Sequence, residues 1–236
     1  ATKKEVWLDL FDEYSVEILE QNLDLIKGFK IQASVLGNFK LFEKLSKIDT
    51  KEKQCILNIS AYSLSEIEEI IERIKKSVSA EIILQIGFQS HPTEFISSGL
   101  SKLDVIKKAF PEYNISFADH LENNSPDVLI LPFLAQTLGA NIIEKHIKCE
   151  LLPTKYDHYS SIDFNQFDEF LALSNKYSNL LSQPFINDEE REYLRKSLLV
   201  PVLNKDKKAG QILSKDDFSY KRTNKQGIDA LSLVSK

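Results

Sequence analysis

Residues 54–88 read QCILNISAYSLSEIEEIIERIKKSVSAEIILQIGF. The stretch opens and closes on short Ile- and Leu-rich runs, 54–60 and 81–88, of the kind required of strands covered on both faces. Between them Ile67, Ile70, Ile71 and Ile74 recur at three- and four-residue spacing with charged residues opposite, the pattern of an amphipathic helix. Ser63 and Ser65 are N-cap candidates at its start. A strand, a helix and a strand within about 30 residues make one βα crossover unit, and strands joined this way run parallel.

The same rhythm extends in both directions. Strands are predicted at 5–11, 29–34, 113–119 and 140–146 as well, with helices at 13–26, 39–48, 101–110 and 128–140. The last of these is apolar nearly throughout, which predicts a buried helix, and Gly139 ends it. Six strands alternating with helices predict an α/β fold, either a barrel or an open doubly wound sheet. After Cys149 the rhythm changes: a loop over 150–163 leads to a long helix at about 165–181. From residue 197 short β runs alternate with turns, which predicts a small β-rich module outside the sheet. The expected organisation is a domain over 1–184, a helical linker at 185–196 and a second module over 197–236.

Composition removes several function classes. A chain of 236 residues, 42% hydrophobic, is long enough to bury a substantial core. Its net charge of −5 is spread over interleaved Lys and Glu, so it offers no basic face for nucleic acid and no polybasic patch for a membrane. No apolar run reaches the roughly 18 residues of a spanning helix, and ATKKEV at the start is no secretory signal. Cys55 and Cys149 make neither a disulfide framework nor a metal knuckle, in keeping with a reducing, cytoplasmic setting. The chain contains no methionine, even at position 1, which reads as a processed start or as part of a longer protein.

In parallel α/β folds functional side chains gather where strands end. There the sequence puts Asp12, then Lys30 and Ser34, Asn58 and Ser60, Gln89 and His91, Asp119 and His120, and Glu144, Lys145 and His146, with Asp157 and His158 in the following loop. All four histidines fall in such places. His120 and His146 end successive strands, which as neighbours lie about 5 Å apart, close enough for two imidazoles to share one metal. Each alone is an ordinary loop histidine. Lys30 stands in an otherwise apolar strand, where burial is costly without an anionic partner. A phosphate or carboxylate ligand answers that need, and so does an acid on a neighbouring strand, such as Asp9.

An ordered set of motifs carries a resemblance: FDEYSVEIL, FKIQASVLGN, ILNIS, FQSHPT, FADH, GANIIEKH, YDHYSS, RKSL, AGQILSKDDFSYKR and GI. Over nearly its whole length the chain resembles the sialic acid synthases and their spore-coat relatives. The resemblance implies a (β/α)8 TIM barrel followed by an antifreeze-like domain. It also implies a phosphoenolpyruvate-dependent enzyme that acts on an amino sugar, as a dimer whose small domain covers the partner's active site. By the same resemblance His120 and His146 are ligands of a divalent metal, manganese foremost, with zinc and magnesium as alternatives. Lys30 binds phosphoenolpyruvate, Gln89 contacts it through its amide, Asp157 is an acid near the sugar and metal, and Arg222 reaches the neighbouring subunit's site. Ser34, Asn58 and His91 fall at substrate-facing positions.

Several positions depart from the family pattern. Ala33 and Val35 stand where a serine and an acid are usual, so that Ser34 supplies a hydroxyl only if the register slips by one. Asn58 and Ala118 replace hydroxyl residues, Asp9 a threonine and His91 a tyrosine. These changes predict an altered acceptor pocket or a relative that has lost the reaction, so a non-catalytic sugar-binding or assembly protein and another metal-dependent phospho-sugar aldolase remain alternatives. Six strands also fall two short of a closed barrel. The expectation is an internal fragment of a longer enzyme, not competent in catalysis as it stands.

Overall fold

The computed structural model describes residues 4–87, 90, 92–149 and 156–223. The chain divides into two units, Ala1–Tyr177 and Ser178–Lys236. In the first, six strands alternate with helices: β1 (Val6–Leu10), α1 (Glu13–Gln21), β2 (Ile26–Ile31), α2 (Phe39–Leu45), β3 (Gln54–Asn58), α3 (Leu64–Ile74), β4 (Glu81–Ile86), α4 (Lys102–Ala109), β5 (Asn114–Asp119), α5 (Ile130–Thr137) and β6 (Ile142–Lys145). The strands pair in sequence order, every pair parallel. All six predicted strands are present.

The sheet is curled, and one contact demonstrates it. Lys30 on β2 meets Glu144 on β6 at 2.5 Å. Four strand intervals separate them, about 19 Å on a flat sheet. Two side chains do not span that gap, so the sheet bends into a half-barrel with both residues on its concave face.

The convex face holds the apolar core. Leu10, Phe29, Ile31, Leu57, Leu84 and Phe117 are buried there with the inner faces of the helices. The spacing seen in residues 54–88 does this work in α3, whose Ile67, Ile70, Ile71 and Ile74 are all buried. Each contributes about 1.5–3 kcal/mol relative to exposure. Ser63 caps this helix in a capping box with Glu66, as one of the two serine candidates.

Three local expectations give way to tertiary pairing. Residues 22–26 continue the helical spacing of α1, yet α1 ends at Gln21 and Ile26 already belongs to β2, where it pairs with Val6. The second strand stops at Ile31, and Ala33–Val35 forms a 3-10 turn, so that Ser34 is exposed beyond the strand instead of within it. The apolar α5 is covered on one side only: Leu131, Pro132 and Ala135 are buried while Ile130 is 47% exposed.

After β6, α6 (Phe164–Leu181) begins in the first unit, where Phe133 of α5 and Tyr177 of α6 pack with ring centroids 4.8 Å apart. The second unit contains α7 (Asp188–Ser197), capped by Asn187 and Glu190, and an antiparallel pair, β7 (Leu199–Leu203) and β8 (Phe218–Arg222). The long connection between these strands is closed by an ion pair of Lys207 with Asp217, whose carboxyl is pulled down to about 2, mainly by that contact. No helix of the described residues is long and apolar enough to cross a membrane.

Candidate active site

Alternation along each strand sends every second side chain into the concave face. There Lys30, Asn58, Gln85 and Ser116 are buried polar residues in otherwise apolar strands. They form one network. The Asn58 amide donates to Gln85 Oε1 at 3.1 Å, and Gln85 Nε2 donates to Ser116 Oγ at 3.0 Å and to Glu144 Oε2 at 2.9 Å. Lys30 Nζ completes it on Glu144 Oε1. Burial by itself would raise the Glu144 carboxyl, but Lys30, the Gln85 hydrogen bond and His120 together hold it below its ordinary range. Glu144 is therefore a carboxylate at neutral pH.

Lys30's partner is thus Glu144, four strands away, and not Asp9. Asp9 is its register neighbour on β1 and accepts from the Gln32 amide at 3.1 Å. Partial desolvation raises the Asp9 carboxyl, with Lys30 opposing the shift.

His120 and His146 follow the last residues of β5 and β6 and turn to the same side as Glu144. Their ring centroids lie 5.1 Å apart at 74°, the juxtaposition expected of neighbouring strand ends. One ligand atom from each of His120, Glu144 and His146 lies within 4.8 Å of the others. Two imidazole nitrogens and a carboxylate oxygen fit a divalent transition metal, and three protein ligands leave positions open for substrate or water.

Asp157 approaches the cluster from outside the sheet, with Oδ2 3.4 Å from His146 Nδ1. What brings it there is a strand-like continuation beyond β6. Ile162 donates to the His146 carbonyl and accepts from Lys148 N, both at 2.9 Å, while Asn123 N donates to the Tyr159 carbonyl at 2.7 Å. Asp157 itself adopts the left-handed conformation (φ 55°), which a short acidic side chain tolerates better than most.

On the convex side of the same strand ends, Asp119 and Lys145 form an ion pair at 2.8 Å, their side chains 0% and 6% exposed. Burial lowers the Lys145 pKa, and Asp119 opposes that shift.

Of the site residues predicted from sequence, Lys30, Asn58, His120, His146 and Asp157 converge in the first unit. Ser34 lies outside the network. Gln89 and His91 lie outside the described residues. Arg222 is exposed at the end of β8 in the second unit. Gln85 is absent from the residues the sequence singles out, and Glu144 is there only as a strand-end residue without a role, although each interrupts an apolar strand as Lys30 does. In EIILQI the polar residue within an apolar run is the signal that marks Gln85.

Gly87 lies just past β4, packed closely on β5. Its φ is +150°, and an added Cβ would lie 2.2 Å from the Ala118 carbonyl oxygen of β5. Gly87→Ala is expected to cost about 3 kcal/mol, the upper range for overpacking, because the obstacle is backbone. Urea denaturation measures it, and a loss under 1 kcal/mol would refute the close packing of β4 on β5.

The NeuB family model matches residues 8–184, which include every member of the network and the metal cluster. The chain belongs to the NeuB family. An uncharacterised protein of Methanocaldococcus jannaschii is 26% identical over 213 residues, 89% of this chain and 60% of its own length. A pseudaminic acid synthase of Campylobacter jejuni is 22% identical over 213 residues, again 89% and 60%. This NeuB-family chain thus spans about 60% of the length of these curated relatives. Its fold is similar to that of a spore coat polysaccharide biosynthesis protein E from Chromobacterium violaceum, with a TM-score of 0.72 at 20% identity, covering 92% of this chain and 63% of that one.

Proposed function

We propose that this chain carries the metal- and lysine-bearing part of a synthase that condenses phosphoenolpyruvate with an N-acylated amino sugar, forming a nonulosonic acid and releasing phosphate. The observation that carries the reading is the convergence of His120, Glu144 and His146 with Lys30 on one concave face. Family membership supports the reaction class.

In this reading the enol carbon of phosphoenolpyruvate bonds to the aldehyde carbon of the open-chain sugar. Water adds to the resulting cationic carbon, and the bond to the phosphate oxygen breaks. His120, Glu144 and His146 would hold a divalent ion, manganese by preference, which would supply Lewis acidity at the aldehyde oxygen. Lys30 turns from Glu144 to the anionic ligand and neutralises it. Once Lys30 has turned away, Glu144, still held by Gln85, would have its other oxygen free for the ion. Asn58 and Gln85 fix that carboxylate's direction. Asp157 faces the acceptor sugar beside His146, and Ser34, Gln89 and His91 belong to the substrate-facing surroundings.

The wider assignment follows the same reading: a TIM barrel of which residues 1–184 form part, a helical linker at 185–196, and a partial antifreeze-like domain over 197–236. The enzyme works in the cytoplasm as a homodimer, and Arg222 completes the partner subunit's site. Incubating the intact protein with phosphoenolpyruvate, Mn2+ and a set of N-acylated hexosamines should release phosphate in step with a 2-keto sugar acid. Absence of both products with every acceptor tested would sink the reading. Arg222→Ala and His120→Ala proteins, each inactive alone, should regain activity on mixing. No recovery in demonstrated heterodimers would remove the shared site.

A further inference from the structure

We propose that the buried Asp119–Lys145 ion pair is a positioning device that fixes the two histidine-bearing strand ends against each other. The inference rests on the metal reading of His120, Glu144 and His146, and goes beyond it to residues that touch neither metal nor substrate.

The argument begins with alternation. Asp119 and Lys145 are register partners on β5 and β6, and they face the convex side. The residue after each strand is the histidine, which turns to the concave side. Any slip or splay between Asp119 and Lys145 is therefore passed directly to the separation of the two imidazoles.

The strand that carries His146 is poorly held by backbone alone. β6 has four residues, and among the described residues it lies at the end of the sheet order, paired only with β5. Its residues are only partly buried as a whole, Lys145 being exposed through its backbone and not its side chain, whereas β5 is buried from Ile115 to Asp119. Beyond Lys145 the chain is next tied by Ile162 at His146. A side-chain tie at Lys145 reinforces the point where these two backbone supports meet.

The tie itself is closed on both sides. Asp119 Oδ2 takes the Lys145 ammonium, while Asp119 Oδ1 accepts from Leu121 N at 2.8 Å. His120, between those residues, has its carbonyl fixed by Thr93 N at 2.8 Å. Asp119 thus spans the backbone of His120, and Lys145 joins that locked turn to the residue before His146. Buried ion pairs add little stability compared with apolar residues of the same size, and registry is their best attested use.

The test uses the intact protein carrying Asp119→Asn with Lys145→Met. This neutral pair keeps an acceptor for Leu121 N and an apolar stem for the lysine. Co2+ affinity, followed by visible absorption, should fall about 10–100-fold, the range for groups that orient metal ligands. Amide exchange at residues 143–146 should quicken while residues 54–58 of β3 keep their wild-type protection. Unchanged Co2+ affinity overturns the proposal, whether or not exchange changes. If the wild type itself takes up no Co2+, the metal reading fails separately. Exchange at 143–146 then decides the tie alone, with faster exchange supporting it and equal exchange overturning it. Should the double variant not fold, Lys145→Gln, which offers Asp119 a donor with shorter reach, is read by the same criteria.

Discussion

Lys30→Met should destabilise the first unit by about 3 kcal/mol at neutral pH, the lower end of the range for breaking a buried ion pair. The lower end applies because the Glu144 side chain is 29% exposed, against 7% for Lys30, and because Glu144 keeps its hydrogen bond from Gln85. Methionine retains the apolar stem, so the loss reports the unpaired carboxylate and not a cavity. The sign with pH follows from Glu144. Its folded-state pKa lies below the unfolded value of 4.5, so the stabilisation is fully present above that value and is lost as pH falls through the folded pKa. In the variant burial is opposed by fewer groups, and the carboxyl protonates at higher pH. Urea denaturation from pH 7 to pH 3 should therefore show a wild-type advantage that is largest at neutral pH and shrinks in acid. An advantage that stays constant to pH 3 would show that charge pairing is not its source.

His146→Ala should weaken divalent metal binding by at least about 100-fold, since even groups that only orient ligands are worth 10–100-fold. The imidazole lies between two carboxylates, Glu144 within the ligand cluster and Asp157 at 3.4 Å. Removing it leaves one nitrogen and one carboxylate oxygen, a pair too sparse to hold an ion against water. Glu144→Gln keeps shape and the Gln85 contact but withdraws the negative ligand, and should weaken binding as well. It also leaves Lys30 without its anion, so its stability should fall in parallel, whereas His146→Ala should leave stability nearly intact. Calorimetric titration with Mn2+ and Zn2+ on wild type and both variants separates these outcomes. Equal affinity in wild type and His146→Ala would remove the cluster as a metal site.

Phosphoenolpyruvate and Glu144 compete for one ammonium in the proposed mechanism. A ligand must offer Lys30 at least as much as the contact it replaces, a charge-assisted hydrogen bond of about 1.5–3 kcal/mol. The Asp9 carboxylate beside Lys30 makes that exchange harder, and a divalent ion held by His120, Glu144 and His146 would make it easier. In that proposal Asp9 bears directly on ligand affinity.

The sequence by itself determined the six strands, a serine cap at Ser63 or Ser65, and the neighbourhood of His120 with His146, because each depends on spacing within one strand, one helix or two successive strands. Lys30 was marked as a buried charge by the same local contrast with its apolar neighbours. Only the tertiary structure decided what Lys30 meets. Glu144 lies 114 residues further on, and the two come together only because the sheet curls, a property of how six strands twist and pack under their helices. The ends of α1 and β2 were settled in the same way: residues 22–26 are compatible with helix, and pairing with Val6 outweighs that local preference. Asp157 shows the limit most plainly. Its loop carries no periodicity, and it reaches His146 through the bridge of Ile147 with Ile162, a contact that exists only once β6 is in place.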